Sequence, residues 1–148
     1  MMSDNSGFSG KCLCGAVTFE ASPPIVSCAH CHCDYCRHAH GAAFVTWVGV
    51  QEDQFRIVDG EGLITWYASS KQVRRGFCSK CGSSMFYQST ICPGEMHIAL
   101  ANVQGDIDRK PEVHVFFDSR VDWFSFNDDL MRLDTDSEAL AQFKAVGR

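Results

Sequence analysis

The stretch "KCLCGAVTFEAS" alternates apolar and polar side chains from Ala16 onward and halts at Pro23-Pro24, the pattern of a strand and its stop. "AAFVTWVGV" is dense in β-formers, and "FRIVDGEGLITWYA" predicts two strands around a DGEG turn. "SMFYQS", "MHIALANV" and "EVHVFF" are further strand candidates, separated by breaks at "PG" and "QGD". Helical signals are sparse. Thr135 to Glu138, "TDSE", has capping-box spacing ahead of "ALAQFKAV", and a shorter helical turn is expected after Cys36. The pattern predicts a mainly β, antiparallel chain with a short C-terminal helix.

A length of 148 residues fits one domain over residues 1–148, long enough to bury a core. A hydrophobic fraction of 45% with 11 phenylalanines is incompatible with a disordered chain. The formal charge of −5 argues against nucleic acid or an anionic membrane surface as partner. The opening "MMSDNSGFSG" has neither the basic nor the apolar region of a signal peptide. No run of about 18 apolar residues exists to span a membrane, and a cytoplasmic location is expected. In that compartment nine cysteines do not form a disulfide framework. Their odd number and their CxC and CxxC spacings point to metal instead.

Cys12 and Cys14 in "CLCG", and Cys78 and Cys81 in "CSKCG", each present two sulfurs at chelating distance along the chain. In CxC on an extended segment the two side chains leave the same face, and CxxC before glycine is a turn that aims both at one point. Together the pairs supply a closed four-sulfur zinc site, tying the first strand to the middle of the chain. Buried, unligated cysteine is the bland alternative.

"CAHCHCDYCRHAH" concentrates four more cysteines. Its CxCxxC core, Cys31, Cys33 and Cys36, can wrap one face of a metal and leave a fourth position open, the mark that separates catalytic from structural zinc. Two alternatives stand beside it. Cys28 with those three can close a four-sulfur site, structural or iron–sulfur, and His30 or His32 can be a fourth ligand.

These stretches, followed by "FRIVDGEGLITWYASSKQVRRGFCSKCGSSMFY" and "SRVDWF", resemble in order the glutathione-dependent formaldehyde-activating enzyme family, which includes the centromere protein V domain. The resemblance runs from about Gly10 to about Trp123. It implies a zinc-braced, tent-like fold of β-sheets with two zincs per chain. The structural one falls to Cys12, Cys14, Cys78 and Cys81, the catalytic one to Cys31, Cys33 and Cys36. Cys28 and Cys92 match no ligand position and read as core or incidental thiols.

The resemblance also implies a carbon–sulfur lyase that joins glutathione, as co-substrate, to formaldehyde and releases it again. The alternative is a non-catalytic domain that binds glutathione or a protein. Glutathione carries two carboxylates that need cationic partners, with Arg37 and Arg120 as first candidates and Lys71, Arg74 and Arg75 behind them. His38 and His40 are candidates to pass a proton to the adduct oxygen, while His97 and His114 read as structural. His32, between two ligands, is expected on the opposite face of its segment. Trp47, Trp66 and Trp123 are either pocket wall or core, and exposed strand edges allow a homodimer.

Overall fold

Residues 7–146 are described by a computed structural model; the reading of the first six residues as free of a leader lies outside them. In chain order the strands are β1 (Phe8–Lys11), β2 (Thr18–Ala21), β3 (Ile25–Cys31), β4 (Val45–Gln51), β5 (Phe55–Asp59) and β6 (Ile64–Ser70). They continue as β7 (Val73–Cys78), β8 (Ser84–Ser89), β9 (Glu95–Ala99), β10 (Val103–Gln104), β11 (Val113–Val115) and β12 (Met131–Leu133). Two short α-helices, α1 (Asp34–His40) and α2 (Gln142–Val146), and five 3₁₀ turns complete the described elements. The chain is mainly β, as its patterning predicts.

A four-stranded sheet has the order β10-β1-β2-β5, and an eight-stranded sheet runs β12-β11-β3-β4-β9-β8-β7-β6. All pairings are antiparallel except those of β11, which lies parallel to both β3 and β12. The antiparallel expectation holds for the other pairings, and β11 alone departs from it among the described strands. β11 is entered after an excursion through the small sheet, so it returns beside β3 in the same direction, as only a crossover allows.

The DGEG segment joins two strands but not as a hairpin. β5 pairs with β2 in the small sheet, whereas β6 pairs with β7 in the large one. Gly60, at φ 82°, sits against the backbone of Ala16 where a Cβ would collide, and a 3₁₀ turn at Glu61–Leu63 carries the chain across.

The main core lies between the sheets. Phe19 from β2 meets Phe86 from β8 edge-on at 5.5 Å, and Val48, Val50 and Ile98 are fully buried around them. Neighbours on the same strands face the other way. Val45 and Trp47 of β4, with Tyr87 of β8, join Cys31, Cys33, Cys36, Phe116 and Leu140 in a second buried cluster. The large sheet is therefore covered on both faces.

The capping box at Thr135 does not form. Its N–H and hydroxyl both donate to Asp118 Oδ1 at 2.7 Å, so a tertiary partner takes the groups that would have capped a helix. The chain instead makes a 3₁₀ turn at Glu138–Leu140 before α2. The helix expected after Cys36 begins earlier, with Cys33 as its N-cap. Among the described residues no helix is long and apolar enough to cross a membrane.

Candidate metal and thiol site

Cys12 and Cys14 follow β1, and Cys78 ends β7 with Cys81 in the turn beyond it. Gly15 and Gly82 close both knuckles at φ 80° and 81°, a conformation that costs glycine nothing. Leu13 N–H donates to Ser83 Oγ at 2.9 Å, locking one knuckle to the other. The four sulfurs lie within 4.8 Å of one another, with Cys12–Cys14 at 3.6 Å and Cys14–Cys78 at 4.0 Å. A tetrahedron with ~2.3 Å metal–sulfur bonds has an edge of about 3.8 Å, so the donor set fits zinc. The Cys81 thiol is pulled down to about 5, first by its hydrogen bond with Ser83.

Cys31, Cys33 and Cys36 form a second group, also within 4.8 Å of one another and all buried. Extended backbone places Cys31 and Cys33 on one face, while α1 returns Cys36 to them; Cys36 N–H donates to Cys33 Sγ at 3.3 Å. His32 leaves the opposite face and is fully buried there, its Nε2 2.8 Å from His114 Nδ1. Cys28 is not part of the group. Three residues from Cys31 on one strand, it points to the other face, so the closed four-sulfur arrangement is not formed.

Of the three thiols, that of Cys36 is the one held low. The Cys31 and Cys33 sulfurs hold its thiol well below the usual range, and Arg75 adds to this. Arg75 Nη1 donates to Cys36 Sγ at 3.5 Å, and Trp47 Nε1 donates to the same sulfur at 3.4 Å. Hydrogen bonds with the Cys33 and Cys36 sulfurs, and then burial, push the Cys31 thiol well above that range.

These sulfurs form part of the wall of a cavity of about 310 Å³. Trp47, Tyr87, Val113, Phe116 and Phe143 supply much of the remainder. Its polar end is a group the sequence reading passed over: the ligand atoms of Cys92, Glu95 and His97 lie within 4.8 Å of one another. Glu95 Oε1 is 3.0 Å from His97 Nε2, and this hydrogen bond lowers the carboxyl's pKa. A Cβ on Gly49 of β4 would come within 3.3 Å of His97 Nδ1, so glycine there leaves room for the ring. The detectable signal was the ExH spacing, which puts Glu95 and His97 on one side of a strand.

The other sequence candidates lie elsewhere. Arg37 Nε donates to His32 O at 3.3 Å, and Arg120 Nη1 donates to Phe117 O at 3.0 Å; neither lines the cavity. His38 and His40 border a separate open groove along α1, together with Tyr35, Tyr67 and Arg75. Trp66 stacks on Phe86 in the core, with Arg74 over its outer face at 4.0 Å, and Trp123 is 71% exposed.

Two cysteine knuckles at the join of a small sheet and a large one, with a separate sulfur triad on a cavity wall, define a cysteine-rich β fold with two sulfur clusters that could hold metal. The model of the family described as glutathione-dependent formaldehyde-activating enzyme matches residues 7–119, and the chain belongs to that family. A Halomonas elongata protein, provisionally named a glutathione-dependent formaldehyde-activating enzyme, is 28% identical over 121 residues, 77% of each chain. A Schizosaccharomyces pombe protein named an uncharacterized lyase is 29% identical over 121 residues, 74% of this chain and 85% of its own. The crystal structure of a Rhodobacter sphaeroides protein superposes with a TM-score of 0.54 at 25% identity, covering 70% of this chain and 97% of that one.

Proposed function

We propose that the chain is a zinc-dependent carbon–sulfur lyase acting on adducts of glutathione with an aldehyde, the simplest being S-hydroxymethylglutathione. The observation that carries this reading is the sulfur triad. Cys31, Cys33 and Cys36 converge at a cavity wall, apart from the four-cysteine cluster whose donor set is complete. Membership of the family supports the choice of thiol, and a relative named a lyase supports the reaction type.

Cys12, Cys14, Cys78 and Cys81 would hold one zinc as a brace, and Cys31, Cys33 and Cys36 would hold the other. Bound at the triad, zinc supplies the positive charge that keeps a thiol deprotonated at neutral pH. Arg75 and Trp47, donating to Cys36 Sγ, spread the negative charge of the thiolates and fix the sulfur in place. The apolar wall excludes water around the reacting carbon. His97, held at Nε2 by Glu95, is a group on that wall able to give a proton to the carbonyl oxygen or take it back. Sulfur–carbon bond formation thus ends with the thiol proton on oxygen, and the reverse path releases the aldehyde.

The test joins a metal count with exchange NMR of glutathione and labelled formaldehyde. Two zincs per chain and faster adduct exchange are expected. A chain with two zincs that leaves the exchange rate unchanged would overturn the lyase reading.

A further inference from the structure

Formaldehyde is small for the space beside the triad. It has two heavy atoms, whereas the cavity measures about 310 Å³, at the lower end of pockets that take whole organic ligands. At a water's share of ~30 Å³ per heavy atom, the space accepts a carbonyl carrying roughly six to eight further atoms. Its lining is also unlike a site for a charged molecule. Val26, Ala29, Val113, Val115 and Leu140 extend the aromatic wall, and among the described residues no lysine or arginine lines the cavity. Glu95, its one carboxylate, is engaged by His97. The two carboxylates of glutathione find no partner there, and neither would an aldehyde bearing an acid group.

We infer that the cavity is the subsite for the substituent of an uncharged apolar aldehyde, such as a medium-chain alkanal or an aryl aldehyde, rather than a site shaped for formaldehyde. This rests on the lyase reading. The carbonyl lies towards Cys31, Cys33 and Cys36, and the substituent lies along Trp47, Tyr87 and the β3–β11 wall. One sulfur–carbon bond forms, the carbonyl electron pair moves to oxygen, and the thiol proton follows it, so no oxidant or reductant is needed. Only the sulfur of the thiol has to enter; its peptide stays outside.

Each methylene buried against this wall is worth ~0.8 kcal/mol, or about fourfold in kcat/KM. Exchange NMR with glutathione is run on the zinc-loaded protein with formaldehyde, butanal, hexanal and benzaldehyde. Hexanal is expected to exceed formaldehyde in kcat/KM by at least about tenfold. Ala29 and Val113 face each other across the β3–β11 pairing, so Val113→Phe and, as a milder change, Ala29→Leu fill the space between them. Either variant should lower the hexanal-to-formaldehyde ratio about tenfold.

A second arm needs no turnover. The unreactive alcohol 1-hexanol should shift the indole N–H resonance of Trp47 at millimolar concentration. If formaldehyde is handled as well as hexanal or better, the subsite is overturned while the lyase reading stands. If neither aldehyde exchanges faster, the lyase reading falls and the Trp47 resonance decides the pocket. A shift keeps it an apolar subsite; no shift overturns that as well.

Discussion

His32 and His114, 82 residues apart, share a hydrogen bond of 2.8 Å between Nε2 of the first and Nδ1 of the second. His114 Nε2 lies 2.9 and 3.0 Å from the two carboxylate oxygens of Asp128. The carboxylate can only accept, so His114 carries its proton on Nε2, which leaves Nδ1 to accept from His32 Nε2–H. His32 is thereby fixed behind β3, between the backbones of Cys31 and Cys33, and those two sulfurs are directed towards the cavity. The chain of three residues positions the triad from its far side without touching it.

His114→Ala removes a ring that is 1% exposed and leaves the buried His32 donor unpaired. The lost packing and the orphaned donor together predict a destabilisation of about 2–4 kcal/mol. Urea denaturation of the metal-loaded protein measures it. A loss well below 1 kcal/mol would show that His32 is held by its surrounding phenylalanines alone.

The Asp128 carboxyl is held below its ordinary value of 3.8, first by the hydrogen bond from His114. A carboxylate with a depressed folded-state pKa contributes its stability in full above the unfolded value. That contribution drains away as pH falls through the lower, folded value. Asp128→Asn should therefore melt below the parent at pH 7, and the two melting curves should converge as the pH falls below about 4. Thermal melts between pH 3 and 7 test this; a constant offset across that range would locate the effect outside the titration of Asp128.

Such relationships separate what local spacing reveals from what it hides. The CxC, CxxC and CxCxxC groups were legible because chelation is written in neighbouring residues. Most strands were legible because their alternation is local too. Two strands flank the DGEG turn as expected, but nothing nearby records that β5 finds β2 while β6 finds β7. The capping box failed because Asp118, 17 residues upstream, takes both Thr135 donors. Arg37 was singled out for adjacency to Cys36, yet successive residues on a helix diverge by about 100°. The cation that reaches the sulfur is Arg75, from a strand 39 residues away. The cavity was invisible for the same reason, since its wall joins β3, β4, β8, β9, β11 and the C-terminal segment.

Cys78 ends β7 at the four-sulfur cluster that ties the first knuckle to the second. Metal binding at such a site is folding energy, so Cys78→Ser should abolish the cooperative thermal transition, and a strong chelator should do the same to the parent. Circular dichroism during chelation reads both. A variant that melts like the parent would show that the packed sheets stand without the brace.

Cys33→Ser should behave differently. Cys33 is the N-cap of α1, and its sulfur accepts from Cys36 N–H; serine is among the best residues for that role. The helix and fold should survive while one triad ligand is weakened. One zinc per chain, a parent-like far-UV spectrum and loss of glutathione binding by calorimetry are the expected results. Retention of two zincs and of parent-like glutathione binding would remove Cys33 from the site.

Arg75 offers the sharpest separation of charge from architecture. Its side chain turns inward from β7, where Nε donates to Ser69 Oγ at 3.0 Å and Nη1 to Cys36 Sγ at 3.5 Å. Adjacent Arg74 faces outward over Trp66, as the period of a strand requires. Arg75→Met keeps much of the buried stem and removes the guanidinium, so the fold should persist. The Cys36 thiol then loses one of the interactions that hold its pKa down, after those with Cys31 and Cys33. In protein that retains metal at the four-cysteine site but carries none at the triad, iodoacetamide labelling of Cys36 should slow at pH 7, and its pH midpoint should rise. Mass spectrometry of the labelled peptide follows this one thiol among nine. An unchanged midpoint would mean that Cys31 and Cys33 alone set the charge on Cys36, leaving Arg75 to act through packing.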